Sequence, residues 1–508
     1  MKRILKYISA GAILASAVSC NMDLVPNNAI TYQPGQQIIT SESDLTGFEA
    51  NIMACFRSLD YGDFDLTPDL MVDYFNAMSD YGNNYGPVHT LDANFTSGDY
   101  YIQDNWRYPY AYIKNFNIFI EGAKTVPDGL QEAAAVARGE AFLARAFAYM
   151  HLARHFGPAY SDETLDDLCV PLVTVYDQNA RPERATVAEV YGQIKKDLDS
   201  AAVLLADIPG EVRAQRPTID AVNAMYARYY LDTRDYVHAA EYAMDVINTG
   251  KYSLSSTAAQ MKAEWLNDNG TEPIMQFYAS VSEGVGTHSA YTQMKKDAVK
   301  NLYYQPFYIP SQKLIDAYDE GDLRFEQWFD GGEYPSYHNA TWYNDGTFDY
   351  YVFKKYYGNP ALQGASNTPT SGHAVKPLLI SEMYLIAAEA YFENGQASEA
   401  KTVLNALQTQ RGAATTAATA ETIHNEWYRE TVGEGLRFSC LKRWGEGFDG
   451  RPAQPGAANV VMSTPASSFT DKALEADDYH FLWPIPTYER QTNLNLKQNP
   501  GYGSSTAE

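Results

Sequence analysis

Two histidines, His151 and His155, stand four residues apart in a run of helical periodicity, so both rings would project from one helix face as a pair of metal ligands does. No carboxylate lies between them as in the HExxH pattern, and the run around them reads as a structural helix, so no metal site is expected. A search for a nucleophile gives no more. The chain carries no GxSxG elbow, no Walker A loop and no GxGxxG ahead of a helix. Glycoside hydrolysis asks only for two carboxylates at the right separation in space, which a motif search among 63 acidic residues does not reach. Asp63-Phe64-Asp65 and the run from Asp69 to Asp73 are acidic and lie near aromatics; they read as turn and cap residues. Glu426, Arg429, Glu430, Glu434 and Arg437 recur at helical spacings and read as a structural ion-pair network. Cys55, Cys169 and Cys440 are far apart and form no CxxC, so they read as small buried hydrophobes, with one disulfide left open. No cofactor is expected.

The residue type that stands out is tyrosine, with 40 against 21 Phe and 7 Trp. Tyr covers apolar surface yet keeps a hydroxyl, which suits a wet recognition surface better than a dry core. Residues 74–112 hold eight tyrosines and residues 291–357 hold twelve, half of the total in two stretches. Both stretches carry Gly, Asn, Asp and Pro at loop density, as in Tyr81-Gly82-Asn83-Asn84-Tyr85-Gly86-Pro87. Long ordered loops with short strands are expected there. Aromatic platforms cover the apolar face of a ligand, and Asn, Asp, Arg and His satisfy polar groups that would otherwise lose their water without replacement.

Helices must position those loops. Arg138 to Leu152 repeats apolar residues at helical spacing and stops at Gly157-Pro158. Thr186-Val187-Ala188-Glu189 has the capping-box pattern and opens a helix to about Leu205. Pro217-Thr218 precedes a helix toward Leu231. Ala224, Ala227 and Tyr230 share a face, Thr233-Arg234 makes a turn, and Ala239, Ala240, Ala243 and Val246 line the next helix. The pattern returns as Leu385, Ala388 and Tyr391, a turn at Asn394-Gly395, then Ala400, Val403, Leu404 and Leu407. Small residues there let antiparallel helices approach closely, which is the tetratricopeptide-like hairpin. Trp106 and Trp328 read as core, and residues 451–470 as an exposed Pro/Ala/Ser-rich loop.

The N-terminus reads as an address. Lys2, Arg3 and Lys6 precede an apolar stretch too short to span a bilayer, and Ala17-Val18-Ser19-Cys20 resembles the lipobox of bacterial lipoproteins. Residues 1–19 are then a signal peptide, Cys20 is the lipidated first residue, and 20–508 form one domain. Cleavage removes three positive charges and takes the formal net charge from −25 to −28. That balance excludes nucleic acid as a partner, because no Lys/Arg run offers phosphates a basic patch.

Several stretches together resemble the SusD/RagB family, surface lipoproteins of glycan-uptake systems in Bacteroidetes-type bacteria. They are Cys20-Asn21-Met22-Asp23-Leu24-Val25-Pro26, Gly139 to Ala146 with His155-Phe156-Gly157, and Arg216-Pro217-Thr218. Glu382 to Gly412 follows, then Arg429-Glu430, Glu434-Gly435-Leu436-Arg437 and Lys442-Arg443-Trp444-Gly445. Leu482-Trp483-Pro484-Ile485-Pro486, Asn493 and Gln498-Asn499-Pro500-Gly501-Tyr502 close the series in family order. One departure, Gln410-Arg411-Gly412 where the family often has two Arg, puts a local ion pair in doubt.

The resemblance implies a mainly α fold, with tetratricopeptide-like helical hairpins as scaffold and irregular loops with short strands carrying the ligand site. It implies a non-catalytic binding protein, lipid-anchored in the outer membrane and facing the cell exterior. Its partner would be a SusC-like TonB-dependent transporter, to which it delivers an oligo- or polysaccharide. Family members place aromatic platforms on loops corresponding broadly to the two tyrosine-rich stretches. From the first, the candidate ligand-binding residues are Tyr81, Asn83, Asn84, Tyr85 and His89; from the second, Tyr291, Tyr303, Tyr337 and Trp342. A peptide-binding, RagB-like carrier is the alternative, and a secreted glycoside hydrolase a more distant one.

Overall fold

The computed structural model describes residues 36–283, 286–292, 294–296, 302–337, 344–364 and 370–503. Cys20 and Trp342 lie outside the described residues. The chain begins with α1 (Glu42–Arg57), α2 (Asp63–Met71), β1 (Phe75–Ala77), α3 (Gly86–Thr90), α4 (Tyr100–Gly122) and α5 (Gln131–Phe156). Helices α6 (Val187–Leu204), α7 (Ile219–Asp232), α8 (Tyr236–Asn248) and α9 (Ala258–Trp265) follow. The irregular middle holds β2 (Pro273–Met275), α10 (Ser289–Thr292), β3 (Met294–Lys296), β4 (Leu302–Tyr304), β5 (Tyr308–Pro310), α11 (Gln312–Asp316), α12 (Leu323–Trp328), β6 (Phe329–Tyr337) and β7 (Asn344–Phe353). The remainder is β8 (Leu378–Leu379), α13 (Ile380–Glu393), α14 (Ala397–Arg411), α15 (Ala420–Glu430), α16 (Arg437–Trp444), β9 (Phe448–Asp449), β10 (Ala473–Leu474) and α17 (Thr487–Thr492).

The helix signals carry through. Thr186 Oγ1 accepts from Glu189 N at 3.2 Å while the Glu189 carboxylate accepts from Thr186 N at 2.8 Å, so α6 starts on a complete capping box. α5 stops at Gly157, whose N–H caps Ala153 O. The two hairpins are α7–α8 and α13–α14, and α8 packs on α13. Ala239, Ala240 and Ala243 are buried on one side of that contact and Ala387, Ala388 and Ala390 on α13, so the backbones approach closely. Gly139 does the same for α5 against α6: a Cβ there would sit 2.8 Å from Leu205. One apolar cluster runs from Ile39 to Leu496 and takes in Trp106, Trp328 and the three cysteines, which are free thiols.

Ion pairs tie together stretches far apart in sequence. Glu140 on α5 takes Arg216 through two 2.6 Å bonds, and Arg228 on α7 takes Glu382 on α13 through two more at 2.6 Å. Arg411 reaches Glu272 at 2.8 Å and also bonds Glu430, so the ion pair in doubt at Gln410-Arg411 is made by Arg411 alone. Arg324, wholly buried, joins Asp322 at 2.7 Å, Glu426 at 2.6 Å and Glu430 at 2.9 Å. The α15 cluster is thus a network, closed by Arg324 and Arg411 from other segments.

Three expectations are corrected. Residues 74–112 are not loop and strand throughout: α3 and the first half of α4 lie there, and α4 carries Tyr100, Tyr101, Tyr108, Tyr110 and Tyr112. Asp65, Asp69 and Asp73 are not turn or cap residues but buried carboxylates, two of them on α2 and one just after it. Asp73 is held down at about 2, because Arg437 and Lys313 outweigh the cost of burial. Residues 451–470 are not simply exposed. Arg451 is wholly buried and donates to Val72 O, Met71 O and His89 O, while Val460 and Val461 pack against tyrosines.

Candidate functional site

Backbone pairing brings the two tyrosine-rich stretches together. β1 runs antiparallel to β5, with Ala77 opposite Tyr308, and Met78 N donates to Phe307 O at 2.8 Å. The 451–470 segment closes the other side through a bridge between Met78 and Val461 and a 2.7 Å bond from Ser79 N to Val460 O. Side chains lock the junction. Tyr308 Oη donates to Asn84 O at 2.6 Å, Gln305 Nε2 donates to Asp80 Oδ2 at 3.1 Å, and Tyr81 meets the Tyr308 ring edge-on at 6.0 Å.

The loop from Asp80 to Gly86 has no strand partner, and its own side chains hold it. Asn83 and Tyr85 sit at φ 57° and 55°. Asn tolerates that region; for Tyr it costs about 1–2 kcal/mol. The cost is offset by the Tyr85 ring, stacked on Tyr101 at 3.9 Å and 15°, and by its hydroxyl, which donates to Asp63. Asp99 caps α4 by accepting from Tyr101 N at 2.9 Å and Ile102 N at 3.2 Å, which fixes the first turn and the direction of its rings. Tyr100 lies on Tyr101 at 3.9 Å and is 57% exposed. Tyr85, Tyr101 and Tyr100 therefore form a run of three rings in contact, Tyr100 tilted 36° to Tyr101, buried at Tyr85 and open to solvent at Tyr100.

The second half of the face comes from β4 to β7. Tyr304 meets Tyr334 edge-on at 5.4 Å and Tyr357 at 6.2 Å, and Tyr334 packs on Tyr350 at 5.3 Å. Met78, Ile309, Val352 and Val460 back these rings. Tyr350 is 2% exposed, and its hydroxyl has no hydrogen-bond partner among the described residues. Burial, and next the Asp80 charge, push its phenol up, so it stays a neutral donor.

The candidate residues separate on this frame. Asn83 is exposed and Asn84 half-buried, its amide donating to Tyr81 O at 2.7 Å. Tyr81 and Tyr85 are 9% and 7% exposed and support the loop from within. His89 and Tyr291 are both at 0% exposure and offer a ligand no surface. His89 donates from Nδ1 to Leu70 O at 2.8 Å and accepts at Nε2 from Arg451 at 3.1 Å; burial and then Arg451 keep it neutral. Tyr291 stacks on Phe75 at 4.3 Å. Tyr303 stands on β4 opposite Lys295 and Tyr337 at the end of β6 opposite Asn344. Sequence reasoning missed exposed Tyr100 and half-buried Tyr334, which rest on the nearly buried Tyr101 and Tyr304. Only for Tyr100 was there a local signal, the capping Asp99 directly ahead of it.

The face supplies ring surfaces, amides and hydroxyls, which is binding chemistry. His151 and His155 lie elsewhere: His151 Nε2 contacts Asn105 Oδ1 at 3.0 Å and His155 Nδ1 donates to His151 O at 2.8 Å. Burial drives His151 down to about 3. Among the described residues no group of three His, Cys, Asp or Glu is placed to hold a metal ion, and no helix is long and apolar enough to cross a membrane.

Comparison with known proteins adds to the geometry. A family model described as starch-binding associating with outer membrane matches residues 31–231, and the SusD family model matches residues 252–502. SusD-like protein P2 of Formosa agariphila is 28% identical over 441 residues, covering 80% of this chain and 83% of that protein. A SusD superfamily crystal structure from Bacteroides thetaiotaomicron superposes with a TM-score of 0.73 at 24% identity, covering 90% of this chain and 99% of that one. Surface glycan-binding protein A from Bacteroides fluxus gives 0.67 at 20% identity, over 91% and 100%. Hairpins α7–α8 and α13–α14, the ion pairs that join the characteristic stretches and two adjoining family matches agree: this chain belongs to the SusD/RagB family.

Proposed function

We propose that the protein is a non-catalytic, surface-exposed lipoprotein that binds an oligo- or polysaccharide on the tyrosine face and passes it to a TonB-dependent transporter of the outer membrane. The observation that carries this reading is the run of three rings from Tyr85, next to Asn83 and Asn84 in its loop, to exposed Tyr100, the loop being joined through β1–β5 to the tyrosines of β4–β7. A flat ring covers a sugar's C–H face, and neighbouring amides and hydroxyls replace the water its hydroxyls lose. The description of the family model over residues 31–231 and the name of the Bacteroides fluxus neighbour support a glycan as ligand. Asn83 and Tyr100 would touch the sugar, and Tyr81, Asn84 and Tyr85 would hold the loop; Tyr303, Tyr337 and Trp342 stay candidates by residue type alone. Anchoring would run through acyl chains on Cys20, more than one being needed for stable attachment.

Affinity would be modest, about −4 to −8 kcal/mol, because the glycan must be released inward. The test is calorimetric titration of the protein, without its leader, against plant, host and microbial polysaccharides and their oligosaccharides, with reducing ends assayed afterwards. One glycan class should bind and remain intact. New reducing ends would make the protein a hydrolase, and saturation by mixed peptides with silence toward sugars would make it a peptide carrier.

A further inference from the structure

Asp65, one of the acidic residues a turn reading would leave in solvent, faces instead a cavity between α2, α5, α7 and the α15–α16 connection, about 820 Å³ of space with the solvent at its open mouth included. Its wall holds the carboxylates of Asp60, Asp65 and Glu434 and the rings of Phe64, Trp265 and Tyr356. Gly435 lets the α15–α16 connection in: at φ 69°, a Cβ there would lie 2.9 Å from Asp65 Cα.

The cations around this space are already matched. Arg228 pairs with Glu382 at 2.6 Å, Arg154 with Asp232 at 2.7 Å, Lys376 with Asp268 at 2.6 Å and Lys355 with Glu434 at 2.6 Å. Asp60 and Asp65 remain. Asp65 accepts from neutral His288 at 3.0 Å, and His288, 1% exposed, has no partner at Nδ1 among the described residues. No group of the described residues hydrogen-bonds the Asp60 carboxylate, although every buried carboxylate of the α15 network is matched. One carboxylate without a partner and one met only by a neutral imidazole, beside aromatic walls, make a site for positive charge. The ligand set for a metal ion is missing among the described residues, so the charge is organic.

We propose that this cavity binds a small organic cation, a primary ammonium compound of monosaccharide size or smaller, with its ammonium group on Asp60 and Asp65. The site is separate from the tyrosine face and independent of what that face binds.

Empty, Asp60 and Asp65 are both held well above the usual carboxylate range, first by burial. Asp60 is raised further by Asp65, Glu434 and Glu382 and lowered by Arg228; Asp65 is raised by Glu434 and lowered by Lys355 and Arg228. The nearby His151, His155, His288 and His373 are kept neutral by burial. A bound ammonium favours the ionised carboxylates, so binding expels protons and strengthens as pH rises.

The experiment is calorimetric titration of the purified protein with glucosamine and methylammonium, with glucose and Ca²⁺ as controls, in two buffers of different ionisation heat. Expected is one-to-one binding of glucosamine with proton release, no competition by glucose, and a loss of about tenfold or more in Asp60→Asn and in Asp65→Asn. Tyr334→Ala, a change on the tyrosine face, should leave it unaltered. Absence of ammonium binding, equal binding of glucose, binding of Ca²⁺ in place of ammonium, or heats that do not depend on the buffer would each overturn the proposal. The buffer comparison uses the unaltered chain, so the test stands even if an Asn variant does not fold.

Discussion

The helical side and the tyrosine face solve the burial of polar groups in opposite ways. On the helical side, Arg324, Arg411, Glu426 and Glu430 lose nearly all contact with water, and each is met by opposite charge. These four leave nothing over for a ligand. On the tyrosine face the rings carry the packing, while Tyr100 and Asn83 stay open to solvent. A closed network specifies one arrangement of segments; a stacked aromatic loop holds its place through apolar contacts and leaves hydrogen-bonding capacity to a partner.

The contrast can be broken at its strong end first. Glu430→Ala leaves Arg411 and Arg324 short of a partner and should cost about 3–5 kcal/mol in urea unfolding. Loss of only a few tenths would mean the network is wet. Titration checks the same point without mutation. Burial would raise the Glu430 carboxyl, but Arg411 and Arg324 hold it at about 2. A depressed value contributes stability that is present above the unfolded value, about 4.3, and is lost as pH falls toward 2. The urea midpoint should therefore drop across that window, and the drop should shrink in Glu430→Ala.

Leu404→Ala in the second hairpin, a wholly buried side chain on α14, should cost about 2–5 kcal/mol by leaving a cavity. Glycan affinity of the folded fraction should not change. Tyr100→Ala turns the contrast around: glycan affinity should fall about tenfold, near 1.4 kcal/mol, with the thermal midpoint almost unmoved. A variant that melts early yet binds normally would show that Tyr100 is packing and not platform. The smallest effect should come from Thr186→Ala, which opens the capping box of α6 for about 1 kcal/mol and leaves binding untouched, as read from urea midpoints and calorimetry.

Legibility in the sequence followed the range of the forces involved. The capping box at Thr186, the stop at Gly157 and the two hairpins were readable because each is written within a few residues. The ion-pair network was half readable: Glu426, Arg429 and Glu430 share a helix, but Arg324 and Arg411 reach them from elsewhere. His89, a surface-ligand candidate by its place in a tyrosine-rich stretch, is a buried link to Arg451, a residue 362 positions later in the chain. No pattern around His89 announces that.

By itself the sequence determined the scaffold and the tyrosine supply, because helix periodicity and capping are local; it read 74–112 as loop, where α4 begins at Tyr100. The tertiary structure alone decided which tyrosines face solvent, since that depends on β1 meeting β5 and on Asp99 aiming the first turn of α4. It alone turned Asp65, Asp69 and Asp73 inward, because whether a carboxylate is a cap or a buried charge is set by the elements packed over it, and those come from the far end of the chain.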